Sequence, residues 1–155
     1  MNYTFVFALG IGFTAGLRAL VAPAVVAWAA HLGWLNLNSS PLAFMGSTIA
    51  VIIFSLLAVF ELIVDVLPRT PKRTAPMLLV ARILMGALCG ACIYASTNQL
   101  IFIGAILGGV GGIIGAFAGY ETRRRLVSAL KIKDIFIALL EDVVTIGLAC
   151  LFVTR

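Results

Sequence analysis

Glu61 and Asp65 stand four residues apart in one apolar run, Arg82 lies in a second, and Glu141 with Asp142 in a third. Residues four apart share a helix face, so Glu61 and Asp65 point the same way. Glu61 precedes Pro68 by seven residues, Arg82 follows Pro76 by six, and Glu141 follows Asp134 by seven. At 1.5 Å per residue each lies roughly 10 Å inside its run. An ionisable group at membrane depth costs about 2.5–3.5 kcal/mol on insertion scales, so such residues face protein or water and mark candidate ion or proton sites. Four carboxylates against one arginine leave an acidic excess that would attract a cation or bind protons, with Arg82 as counter-ion. Arg82, Gly86 and Gly90 share one face, which turns Arg82 toward a packed interface. The alternative is an ion-pair network that only holds helices together, since buried pairs often break even against apolar packing.

Arg18 is a sixth position of this kind. It sits mid-run, five residues before Pro23. It reads either as a snorkelling side chain on a tilted helix or as a group in a cavity, where it would act as an outer gate or anion contact. Cys89 and Cys92 form a C-x-x-C within an apolar run, without the context of a redox motif, and read as small packing residues. There is one histidine, His31. The sequence carries no phosphate loop, no G-x-S-x-G and no H-E-x-x-H. The expectation is a protein that is not an enzyme and holds no metal or cofactor.

The elements that position these residues follow from composition. The chain has 155 residues, 63% of them hydrophobic and 11% charged, with a mean hydropathy of +1.17. A soluble domain could not bury that much apolar surface, whereas a helical bundle in lipid can. A span needs about 20 residues. Apolar runs cover residues 3–30, 42–67, 77–95, 100–120 and 135–153. The expected fold is all-α: one transmembrane domain over residues 1–155, a bundle of about five helices. The first run is longer than one span requires, is interrupted by Arg18 rather than resembling a cleavable signal, and is expected to be kinked or broken between Arg18 and Pro23.

The net charge is +5, but its clustering points to membrane orientation rather than to nucleic acid. Arg69, Lys72, Arg73, Arg123, Arg124, Arg125, Lys131 and Lys133 fall in alternate connectors, against Arg155 alone on the other side. With five crossings this places the N-terminus in the cytoplasm and the C-terminus outside, with Trp28, His31 and Trp34 at the outer interface. Gly104, Gly108, Gly112, Gly115 and Gly119 make one stripe on the fourth run. Such stripes let helices approach closely, either within the chain, as a sliding surface, or between copies in a homo-oligomer.

Four segments taken together carry a resemblance: G-L-R-A-L-V-A-P-A-V-V at 16–26, H-L-G-W-L at 31–35, E-L-I-V-D-V-L-P-R-T-P-K-R at 61–73, and A-L-L-E-D at 138–142. By these the chain resembles an uncharacterised prokaryotic membrane family described as domain of unknown function 4126. Where related sequences often show Asp-Lys-x-Pro, this chain has Asp65-Val66-Leu67-Pro68. The resemblance implies a bacterial inner-membrane protein and supplies no activity. From the residues, three functions are expected in order. The first is a small transporter or channel for a cation or proton-coupled solute, using Glu61, Asp65, Arg82, Glu141, Asp142 and Arg18. Five helices are few for one pathway, so it would be a homo-oligomer. The second is binding or translocation of anionic lipid by a basic rim and a glycine-lined groove. The third is a structural or assembly role.

Overall fold

A computed structural model describes residues 3–67 and 75–154. The basic stretch with Arg69, Lys72 and Arg73, and the terminal Arg155, lie outside the described residues. Among the described residues every regular element is helical. They are α1 (Thr4–Leu17), α2 (Val21–His31), a single 3₁₀ turn (Ala43–Gly46), α3 (Thr48–Val66), α4 (Pro76–Ser96), α5 (Ile101–Leu130) and α6 (Asp134–Thr154). The last four helices are each long and apolar enough to cross a membrane. Their outer faces expose rows of large apolar side chains, for example Ile49, Ile52, Leu56, Phe60 and Ile63 on α3, as a lipid-facing surface requires.

Local chemistry sets the helix ends. The Ser47 hydroxyl accepts from the Ala50 amide at the start of α3, an N-cap bond. Pro76 opens α4 at a position where its missing N–H has no helical partner. Lys131 closes α5 in the left-handed conformation, φ 51°. The first run breaks where expected. Arg18 is extended, with φ −139° and ψ 110°, and helix resumes at Val21. Pro23 is the third residue of α2, within the first turn, whose N–H groups lack intrahelical partners anyway. It therefore fits the start of a new helix and kinks nothing.

The two halves do not continue across the bundle. Tyr3 and Thr4 at the start of α1 line one cavity together with residues 33–36, just beyond the end of α2. The first run is thus a re-entrant hairpin: α1 descends, turns at Arg18, and α2 returns to the same end. Neighbouring pairs agree. Arg18 meets Asp142 and Gly10 meets Phe152, so α1 runs antiparallel to α6. Leu20 meets Glu61 and Trp28 meets Ser55, so α2 runs antiparallel to α3. The same cavity is lined by Val153 and Thr154, which places both described chain ends at one end of the bundle. Among the described residues four helices are long and apolar enough to cross a membrane, and α1 and α2 are shorter apolar helices.

The glycine stripe of α5 is covered within the chain. Gly108 lies against Gly12 of α1 on one side and Gly86 of α4 on the other, and Gly112 lies against Gly16 and Arg82. A Cβ at Gly108 would collide with the carbonyl of Gly86. The stripe therefore serves as the close-packed seam of α1, α4 and α5, and it leaves no glycine-lined groove open for a lipid chain.

Candidate functional site at the hairpin apex

α1 has 14 residues, about 21 Å at 1.5 Å each. That is about two-thirds of the thickness of a hydrocarbon core of about 30 Å. A broken helix within a membrane exposes two sets of unpaired backbone groups, which lipid cannot satisfy. The chain supplies a charged side chain to each. Arg82 Nη1 donates to the carbonyls of Gly16 and of Leu17, the latter at 2.8 Å, at the C-terminus of α1. The Glu61 carboxylate accepts from the amides of Ala19 and Leu20, both at 2.8 Å, at the N-terminus of α2. A cation at a helix C-terminus and an anion at an N-terminus both complement the macrodipole, worth up to about 2 kcal/mol in partly buried sites.

Arg18 occupies the turn itself and is fully buried at 0% exposure. Its guanidinium pairs with Asp65 of α3 and Asp142 of α6. A fully buried side chain does not snorkel: it points from the tip into the carboxylate cluster. Asp65 is also approached by Arg123 Nη1 of α5 at 3.3 Å. Arg123 in turn grips Asp134 with Nε at 2.8 Å and Nη2 at 2.6 Å, and lies 4.0 Å from Glu141. The result is a continuous chain of ion pairs, Arg18–Asp65–Arg123–Asp134, from a fully buried arginine to a carboxylate 58% exposed at the far end of the bundle.

Glu61, Asp65, Arg82, Asp142 and Arg18 are thus brought together around the apex, while Glu141 joins one layer below through Arg123. Thr145 is buried one turn beyond Glu141 and donates to its carbonyl at 2.7 Å. Arg123 was not among the residues expected in the site. Its signal was present: it follows Gly119 by four residues and so extends the glycine face of α5 to the cluster. The apex amides and carbonyls could not be named without knowing that the helix breaks there. The three arginines also change the charge reading. The cluster is a mixed network rather than the expected four carboxylates facing one cation.

Cys89 and Cys92 are buried in the core with free thiols. His31 has its Nδ1 2.9 Å from the carbonyl oxygen of Gly46. Among the described residues no group of three or more His, Cys, Asp or Glu could hold a metal.

Above the apex, at the end where the chain termini meet, lies the cavity that the hairpin arms share. It measures about 880 Å³ and carries polar groups from Thr4, Asn36, Ser96, Thr97 and Thr154. The ring of Phe152 packs onto Gly10 below it. A second, mostly apolar cavity of about 240 Å³ lies beside the charged layer, where Phe13 and Leu17 of α1 face α5 and α6 and Arg123 and Glu141 join the lining.

No curated protein and no solved structure matches the chain. The model of one family, described as domain of unknown function DUF4126, matches residues 5–154. That match covers nearly the whole chain, including the hairpin, the glycine seam and every residue of the charged layer, and the chain belongs to this family of membrane proteins.

Proposed function

We propose that the protein is a small inner-membrane transporter or channel in which a proton or small cation acts at the hairpin apex. The observation that carries this reading is Glu61 holding the amides of Ala19 and Leu20. These are charge-assisted bonds, roughly twice as strong as neutral ones. A proton or cation arriving at Glu61 competes directly with the N-terminus of α2 for the same oxygens. Charge at Glu61 is thereby coupled to the seating of the hairpin. Discontinuous helices whose ends meet ions near the midplane are a recurrent device of membrane transport, and the cavity above the apex supplies an approach. The ion-pair chain through Arg123 offers an exit on the basic side.

In this reading the Lys- and Arg-rich end faces the cytoplasm, by the positive-inside rule. Both chain ends and the aromatic pair Trp28 and Trp34 then lie on the outer side. The protein performs no chemical conversion and engages no nucleic acid. A homo-oligomer would have to form through the exposed apolar faces of α3 or α6, since the glycine seam is already occupied.

The test is flux of protons and of common monovalent cations into liposomes carrying the purified chain. Wild type should conduct, and Glu61→Gln should lose most of that flux while remaining folded. Equal flux in wild type and Glu61→Gln would remove Glu61 from the pathway, and a folded wild type without flux would end the transport reading.

A further inference from the structure

α5 and α6 are consecutive helices joined only by Lys131, Ile132 and Lys133, yet they scarcely touch. So short a connection normally yields packed antiparallel neighbours. Here Phe13 and Leu17 of α1 border a space between them of about 240 Å³, walled mostly by apolar side chains such as Leu126, Ile137, Val144 and Leu148, with Arg123 and Glu141 on one side. At about 30 Å³ per water this is room for roughly eight, but apolar cavities of such size stay dry and take apolar ligands instead. The mouth of this groove lies within a turn of the α5–α6 connection, since Leu126 and Ile137 are four residues before and three residues after its flanking helix ends, Leu130 and Asp134.

Charge at the mouth favours an anion. Residues 121–134 contain Arg123, Arg124, Arg125, Lys131 and Lys133 against Glu121 and Asp134. Arg123 is closed onto Asp134, and Arg124 and Arg125 both bond Glu121. The two lysines, both exposed, carry the remaining positive charge of the α5–α6 connection. Juxtamembrane lysines attract anionic headgroups by about 1 kcal/mol each.

We propose that this groove is a binding site for one anionic phospholipid, an acyl chain lying between α5 and α6 and the phosphate between Lys131 and Lys133. The groove borders the charged layer through Leu17, Arg123 and Glu141, but its occupancy by lipid does not depend on the transport reading. The lipid would fill the gap that α5 and α6 leave, and so brace α6, which carries Asp142 and Glu141.

The test is native mass spectrometry of the full chain in detergent micelles, titrated with phosphatidylglycerol or with phosphatidylcholine of the same acyl chains. One equivalent of phosphatidylglycerol should be retained, about thirtyfold more tightly than phosphatidylcholine, from the contribution of the two lysines above. Lys131→Gln with Lys133→Gln should abolish that preference and leave phosphatidylcholine retention unchanged. Val144→Trp, which fills the groove from an exposed position, should release both lipids while the micelle complex stays monodisperse and helical. Equal retention of the two lipids by wild type, a preference that survives the double lysine variant, or displacement of the lipid by millimolar inorganic phosphate would each overturn the proposal. The lysine variant alters only exposed residues, so it decides the matter even if Val144→Trp does not fold.

Discussion

Arg18 and Asp65 form an ion pair between the tip of a re-entrant hairpin and the last turn of α3. The pair joins the two parts of the chain least expected to meet, the middle of the first apolar run and the basic-side end of the second. With Asp142 on α6 as the other partner, Arg18 ties the hairpin to two membrane-spanning helices at once. Everything else in the charged layer is arranged around that tie.

Replacing Arg18 by alanine withdraws the cation between Asp65 and Asp142. Breaking a buried pair by removing one partner typically costs about 3–5 kcal/mol. Arg18→Ala should therefore lower the thermal midpoint of the purified protein sharply. Arg18→Lys keeps the charge but not the fork that reaches two carboxylates, and should fall between. Thermal unfolding followed by circular dichroism checks the order; an Arg18→Ala protein as stable as wild type would mean that the pairs contribute nothing to seating the hairpin.

Glu61→Gln keeps an acceptor for the amides of Ala19 and Leu20 but loses the charge. The stability change should be modest, about 1 kcal/mol, the difference between charged and neutral hydrogen bonds. Flux, by contrast, should collapse. A large loss of stability with no specific loss of flux would make Glu61 a helix cap and nothing more. Arg82→Gln tests the other side of the break: its two carbonyl acceptors at Gly16 and Leu17 would be held by a neutral donor. A stability loss with flux retained is the expected pattern there.

Gly108→Leu should prevent the folded bundle from forming. The glycine lies between backbone of α1 and α4 on opposite sides, and neither neighbour has a flexible side chain that could swing away. Overpacking in ordinary cores costs about 1–3 kcal/mol, and a Cβ driven into the α4 backbone at Gly86 and Gly90 lies at or above the upper end. Gly147 makes the control, since nothing lies near a Cβ placed there. Size-exclusion profiles of Gly108→Leu and Gly147→Leu should differ accordingly, aggregation in the first and a wild-type peak in the second.

Much of this architecture was legible in the residues. Composition and run length identify the helical membrane bundle, and the surplus length with Arg18 and Pro23 locates the break. Glu61, Asp65, Arg82 and Asp142 announce themselves because charge in an apolar run is costly. The fold-back was not legible. Hydropathy reports length, and an apolar run of 28 residues satisfies it whether the run crosses or returns. Pro23 misleads in the same way, since a proline inside a continuous helix and one in the first turn of a new helix look alike. The return also brings Thr4 and Thr154 to one cavity, an arrangement that run length alone does not reveal. Arg123 was hidden among three consecutive arginines, of which geometry selects one and leaves the other two to Glu121 on the surface.

Reporter fusions check the crossing count. Alkaline phosphatase fused at the N-terminus behind an export signal and at the C-terminus should be active in both cases, while a fusion in the Lys131–Lys133 connection should be inactive. Opposite results for the two termini would restore an odd number of crossings.

The hairpin itself is tested most directly by one distance. Spin labels at Tyr3→Cys and Asn36→Cys, with Cys89, Cys92 and Cys150 replaced by alanine, would report the separation of the two arm ends by double electron–electron resonance. Both residues line the same cavity, so the predicted separation is below about 25 Å, whereas a single continuous helix from Tyr3 to His31 would by itself span about 42 Å. A short distance confirms that the first apolar run turns back at Arg18; a distribution centred near or above 40 Å contradicts the hairpin and, with it, the placement of Arg18 at its tip.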